Sequence, residues 1–492
     1  MSLQPDKEGK LDYSAFQLNS SLADNLALLA EIFRDDVTFQ QRELRSRTDA
    51  TQYALLFCDG MVGTRLLNDD ILKPVQESRL SRPGLKALME QLLPANSAVL
   101  VTEVGAIVEA IVSGDSAVLM EGEAGAVVVN TKGYAVRAVS EPDDEKSLRG
   151  PREGFNESLM TNVSLLRRKL QTSDLKFKSL TLGTRSNTKA FLCYLDSLAD
   201  KSVLAELERR LADVCVDGVL DVNYLQEYIK DGRRSIFKTC GSTEKPDIVA
   251  AKLLEGRIAL ILDGTPIVLT VPYLFIENFQ AADDYYIGFY FGSLGRLLRL
   301  IGFLITISAP AVYISLVAFH PEMIPTQLMI SMAAAISKVP FPTVVECVMM
   351  LLVFEVLRET GIRTPGKIGQ ALSVVGALIV GQAAVEARLV SAPVVIIVAL
   401  TGITALMIPR MGTAVLVMRG LLLLGAAFFG YYGYIMVLLA LFFYLCGMKS
   451  FGLDYLSQML SYSPPGGQDI YIRRAMPGQR RRPLGMSRDG ER

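Results

Sequence analysis

Leu300-Ile-Gly-Phe-Leu-Ile-Thr-Ile-Ser-Ala-Pro-Ala-Val-Tyr-Ile-Ser-Leu-Val-Ala-Phe319 contains no Lys, Arg, Asp or Glu. At about 1.5 Å per residue such a helix matches a hydrocarbon layer about 30 Å thick, so the stretch is expected to cross a bilayer. Ile368–Val385, Leu389–Pro409 and Gly420–Met448 are equally free of charge. Residues 411–448 would run about 57 Å as one helix, too long for one crossing. A hairpin at Gly430-Tyr-Tyr-Gly-Tyr434 is the expected solution. Residues 328–357 are apolar but interrupted at Val339-Pro-Phe-Pro342, where two prolines remove backbone donors and disfavour continuous helix. This segment reads as an interfacial or re-entrant piece followed by a helix from about Thr343.

Upstream, charged and apolar residues mix as in a globular domain. The pattern predicts strands at 98–102, 117–120, 126–130, 190–195, 219–223 and 257–264, and helices at 22–33, 159–170 and 203–214. Strand order does not follow from the pattern. The expected fold is an α/β soluble N-terminal region of two small subdomains followed by an all-α polytopic membrane bundle. Its expected divisions are a helical extension (1–50), subdomains at 51–150 and 151–290, a bundle at 296–448 and a basic cytoplasmic tail at 449–492. Six spans are expected, or four if 328–357 only dips into the membrane, with the break near 338–342. Arg358, Arg363 and Lys367 crowd one loop, whereas 320–327 has no Lys or Arg; the positive-inside rule then puts both termini in the cytoplasm. The tail arginines 473, 474, 480, 481, 482, 488 and 492 suit contact with anionic lipid.

The 50 basic and 51 acidic residues nearly balance, which argues against a nucleic-acid partner. Met1–Asn19 lacks the apolar run of a secretory signal. The six cysteines form no CxxC pair and read as reduced thiols, mostly buried. With a single histidine, His320, a histidine metal cluster or a Ser/His/Asp triad is not expected. Neither phosphate-binding glycine motif occurs; Gly183–Lys189 fails the required spacing. No catalytic residue, cofactor or metal is expected, and an enzyme is disfavoured.

Three ordered blocks of the soluble region and four of the apolar region then resemble the A subunit of the GerA family of spore germinant receptors. The soluble blocks are Glu141–Leu159 running on to Arg168, Glu255–Pro266 and Asp284-Tyr-Tyr286. The others are Arg296–Arg299, His320–Pro325, Val339–Glu346 with Phe354–Glu359, and Gly376–Glu386. The resemblance covers about residues 50–450. It implies a multi-pass protein of the spore inner membrane, its N-terminal domain and tail facing the cytoplasm or spore core. It also implies a transporter-like B subunit and a lipoprotein C subunit as partners, and a homo-oligomer that forms or gates an ion-release channel. The family includes a SpoVAF-like branch, which implies the alternative of an accessory amplifier without direct nutrient sensing. An independent secondary transporter ranks lower, because only one broken segment is seen and no duplicate. Members commonly carry Arg-Glu-Gly where this chain has Ser337-Lys338.

Charged groups inside apolar helices usually face a bundle interior or water. Glu346, Glu355 and Glu386 are therefore candidates for a cation path, with Pro340 and Pro342 as a gate hinge. The structural alternatives are a pair such as Glu355 or Glu359 with Arg358 or Arg363, and a rigid turn at the prolines. His320 and Glu322 are interfacial candidates, for pH sensing or simply for capping and headgroup contact. Arg149, Gly150, Pro151, Arg152, Glu153 and Gly154 are candidates for an inter-subdomain or subunit contact. Gly369, Ser373, Gly376 and Gly381 read as helix-packing residues.

Overall fold

The computed structural model describes residues 11–13, 16–46, 51–77, 84–92, 98–133, 145, 149–232, 234–363, 376, 379–460, 469–473, 475, 477 and 482. Helices of eight or more residues are labelled below.

The soluble half is built on two five-stranded antiparallel sheets of one design. The first holds β1 (Phe39–Arg45), β2 (Gln52–Cys58), β3 (Ala98–Val101), β4 (Ser116–Met120) and β5 (Ala126–Val129) in the order β1-β2-β4-β5-β3. The second holds β6 (Leu175–Leu182), β7 (Thr188–Leu195), β8 (Gly241–Thr243), β9 (Ile258–Leu262) and β10 (Val268–Val271) in the order β6-β7-β9-β10-β8. Each sheet is preceded by a helix, α1 (Leu22–Ile32) or α3 (Leu159–Lys169). Each also carries a helix before its central strands, α2 (Val104–Ser113) or α6 (Pro246–Leu254). In the second sheet α4 (Lys201–Ala212) and α5 (Val222–Ile229) follow the first hairpin.

The two copies share even their capping chemistry. Asn19-Ser-Ser-Leu-Ala-Asp-Asn25 and Asn156-Glu-Ser-Leu-Met-Thr-Asn162 open α1 and α3. In each, the second Asn accepts from the backbone N–H of the first and donates to its carbonyl. In each, a carboxylate from the turn between two central strands receives the first helical N–H: Glu121 from Leu22 (2.8 Å) and Asp263 from Leu159 (3.1 Å). The glycines that follow, Gly122 and Gly264, adopt left-handed φ and donate to Ser20 and Glu157. Asn162 is fully buried, so Asn162→Ala strands two backbone groups and is expected to cost about 1–3 kcal/mol. The urea midpoint of the full-length chain, read by proteolysis of its soluble half, measures this.

Three expectations are corrected. Residues 1–50 are expected to be a helical extension, yet 39–45 is a strand paired along its length with β2. Its Gln, Arg and Glu side chains suit an exposed sheet edge and carry no apolar alternation. The strand expected at 219–223 is instead the lead-in to α5 and its first two residues. Asp221 accepts the Asn223 N–H as its cap, and Val222, Leu225 and Ile229 face the core. The tail is not simply a solvated basic segment. Lys449–Ser450 and Leu453–Asp454 pair as a small hairpin, and Arg473 is buried. The tail arginines 474, 480, 481, 488 and 492 lie outside the described residues, as do Lys367, Gly369 and Ser373. Four cysteines are buried, and Cys215 and Cys446 are exposed.

The C-terminal half is helical. It comprises α7 (Phe289–Ile314, continued to Phe319), α8 (Thr326–Ile336), α9 (Thr343–Arg363), a helical stretch at 379–386, α10 (Ala392–Ala405) and α11 (Gly412–Gly447). Among the described residues, two helical stretches, Phe289–Phe319 and Pro409–Gly447, are long and apolar enough to cross a membrane. Gly430, at φ 60° and ψ −141°, reverses α11 into two arms. Gly425 and Gly433 then meet backbone to backbone, where a Cβ on either would collide with the other's carbonyl. Small residues at such a crossing let two helices approach closely. Gly381 likewise faces Val395 and Gly376 faces Leu357.

Candidate functional site

The most deeply buried carboxyl among the described residues of the apolar helices is Glu346, in the first turn of α9 and fully buried. Its Oε2 accepts from the Ser391 N–H (2.9 Å) and O–H (2.8 Å). Ser391 is the N-cap of α10, so the carboxyl group lies at the positive end of that helix. Oε1 has no hydrogen-bond partner among the described residues, nor has the buried hydroxyl of Tyr313 on α7. Around them pack Ile314, Cys347, Val390 and Val394, all apolar or thiol.

Glu355 has a different environment. Arg419 of α11, itself 4 % exposed, donates to its Oε1, and Arg358 lies 2.7 Å from Oε2. The pairing weighed for Glu355 is thus present, with Arg419 as an added partner. Glu386 is exposed and receives the Gln382 amide at 3.0 Å. Pro340 and Pro342 lie exposed in the link between α8 and α9. His320 and Glu322 form an exposed pair at 3.2 Å.

Two residues of the Arg149–Gly154 segment meet the second subdomain and the stretch before α7. Glu153 pairs with Arg168 (3.3 Å) and Lys169 (3.2 Å) of the second subdomain. Gly150, at φ 118°, lies where a Cβ would come 2.6 Å from the Tyr286 ring. The subdomains are fastened by Arg167, fully buried on α3. It donates to the Asp36 carboxylate and to Thr38, and its guanidinium lies over the Phe177 ring at 5.0 Å. Lys176 donates to the Ile32 carbonyl (2.7 Å) and Val37 N–H to the Phe177 carbonyl (3.0 Å) across the same seam. Cys58, nearby, is buried, and burial pushes its thiol up to about 11.

Where the soluble half meets α7 the sequence blocks converge into a buried ionic joint. Glu277 receives Arg257, Lys252 and the Leu274 N–H. Burial works against its charge, but Arg257 and then Lys252 outweigh it and hold the carboxyl below its usual value. Asp284 receives Arg296 and Arg299 from α7. Asp469 of the tail takes Arg296 at 2.6 Å, and Arg473 donates to the Asp284 carbonyl at 2.6 Å. The Tyr285 ring lies between the Arg296 and Arg473 guanidinium groups, at 5.2 and 5.3 Å. The stretch after α11 returns to the same body. Ser450 accepts the Tyr273 N–H and donates to Thr239, Phe451 enters the second subdomain's core, and Tyr455 donates to the Lys238 carbonyl.

Asp284, Arg296, Arg299 and Arg257 stand in the blocks that sequence reading marks out. Lys252, Glu277, Asp469 and Arg473 carry no local signature and emerge only from the fold.

The model of the Bacillus/Clostridium GerA spore germination protein family matches residues 27–484. The chain is 36% identical to spore germination protein KA of Bacillus subtilis over 96% of its own length and 88% of that protein's. It is 35% identical to spore germination protein B1 of the same organism, over 95% and 97%. Among solved structures, the N-terminal domain of the A subunit of the Bacillus megaterium spore germinant receptor GerK3 aligns with 53% of this chain and 98% of that one. The identity there is 26% and the TM-score 0.41.

Proposed function

The chain belongs to the GerA family of spore germination proteins, and from that premise we propose that it is a membrane subunit of a nutrient-responsive germinant receptor. In this reading it crosses the spore inner membrane several times and assembles with a transporter-like B subunit, a lipoprotein C subunit and further copies of itself. It forms or gates the path by which cations leave the spore. The soluble half acts as the assembly and transmission body, because the ionic joint and the returning strand tie it to both ends of the helical region.

The observation that carries the reading is Glu346: a fully buried carboxyl with one oxygen unpaired among the described residues, beside the buried Tyr313 hydroxyl, among apolar helices. Such a group is the kind that takes a desolvated cation or a proton. Glu355, locked between Arg358 and Arg419, holds helices together instead. Spores carrying Glu346→Gln at normal protein level are expected to release monovalent cations about tenfold more slowly on nutrient addition, as if a barrier had risen by about 1.4 kcal/mol. Unchanged release would remove Glu346 from the ion path. In spores lacking the chain, loss of response to one nutrient class supports a receptor subunit. Uniformly slower release to every nutrient would replace that reading with the amplifier branch.

A further inference from the structure

A cavity of about 150 Å³ opens at the seam between the soluble half and the start of α11, lined by 236–238, Asn278, 409–414 and Tyr455. Two cationic side chains border it, Lys238 and Arg410. Arg410 is shared with acceptors: it lies 2.9 Å from Glu145 and donates to the Gln280 carbonyl. Glu277 is turned to Arg257 and Lys252. The Lys238 ammonium has no acceptor among the described residues, and its charged neighbour is Arg410.

The floor is the first turn of α11. Met411 at its N-cap makes no side-chain cap bond. Thr413 is exposed there, and a Cβ on Gly412 would meet nothing within 4 Å. The positive end of a long helix, an ammonium, a guanidinium and a hydroxyl therefore converge on one small space, with the nearby carboxylates already engaged. A tetrahedral oxyanion offers several acceptors to such a set of donors, and its charge complements the ammonium and the helix end.

We propose that this cavity binds the phosphate group of a small oxyanion or of an anionic lipid headgroup. Its walls come from four separate segments: the stretch at 236–238 and Asn278 in the soluble half, the entry to the last hairpin, and Tyr455 of the returning chain. A bound phosphate would clamp them together, making the joint between the soluble body and the hairpin sensitive to the anion. This proposal is independent of the ion-path reading of Glu346.

The test uses the full-length protein in neutral detergent, with inorganic phosphate as the probe against chloride at matched ionic strength. Its melting temperature and the phosphorus-31 line width are followed for wild type, Lys238→Gln and Lys238→Arg. A parallel arm compares vesicles of phosphatidylcholine alone with vesicles containing phosphatidylglycerol. Phosphate is expected to stabilise the wild type and the arginine variant, with apparent affinity about tenfold weaker for Lys238→Gln. Stabilisation by phosphatidylglycerol but not by free phosphate, again lost in Lys238→Gln, identifies the headgroup as the source. Equal stabilisation of wild type and Lys238→Gln by either probe, or none by both, overturns the site. Lys238 is exposed, so an unchanged melting temperature of Lys238→Gln without either probe verifies that this variant folds.

Discussion

Arg167→Met is expected to lower the stability of the soluble half by about 3–5 kcal/mol, because it leaves Asp36 buried without its cation. The Asp36 side chain is as fully buried as that of Arg167, so water cannot replace the lost partner. The guanidinium also joins α3 of the second subdomain to the segment between α1 and β1 of the first. Losing it therefore weakens the seam as well as the helix. A second substitution separates these effects. Arg167→Met combined with Asp36→Leu removes both charges, and it is expected to recover most of the loss, since a buried pair replaced by apolar groups is often neutral. Urea midpoints of the two variants decide the matter. A single-variant loss under about 1 kcal/mol would mean that the pair is solvated and the seam is held elsewhere.

Glu277→Ala is expected to be at least as damaging, again about 3–5 kcal/mol, since it leaves two buried cations, Arg257 and Lys252, without their shared carboxylate. Its pH dependence has a definite sign. The folded-state pKa of Glu277 is depressed, so its stabilisation is fully present above the ordinary carboxylate range and is lost as pH falls through the depressed value. Lys252 acts in the opposite sense. Burial lowers its pKa, so its charge costs stability throughout the range below its ordinary value, and Glu277 offsets part of that cost. Comparing wild type with Glu277→Gln from neutral to acid pH should show a shallower acid limb in the variant. Parallel limbs would mean that other carboxylates govern acid unfolding.

How far these features could be read in advance depended on whether their cause is local. The strand at 126–129 and the helix at 201–212 follow from runs and spacings within a few residues, and the break before Thr343 follows from two prolines. β1 escaped because an edge strand needs no apolar alternation. The strand expected at 219–223 failed because Asp221 is a cap, and a cap outweighs the β-branched residues beside it. The duplicated sheet hides in a short pattern, Asn-x-Ser-Leu-x-x-Asn at 19–25 and again at 156–162, which is recognisable once its hydrogen bonds are known. At the candidate site, Glu346 could be marked because a carboxylate in an apolar run is conspicuous. The partner Arg419 of Glu355 could not, because it stands on another helix and nothing near either residue announces the pair. Asp469 and Arg473 were hidden by a strongly basic tail whose composition says nothing of which arginine is buried.

The return of the chain after α11 has a consequence for how the helical region can be threaded. α7 departs from the soluble body at Phe289, and the chain rejoins the same body at Ser450, Phe451 and Tyr455. A path that starts and finishes on one side of a sheet must pierce it an even number of times. If the proposed membrane lies between the soluble body and the far ends of these helices, an odd number of crossings between the two anchor points would separate Ser450 and Phe451 from Tyr273 and Asp231, so the proposed topology calls for an even number.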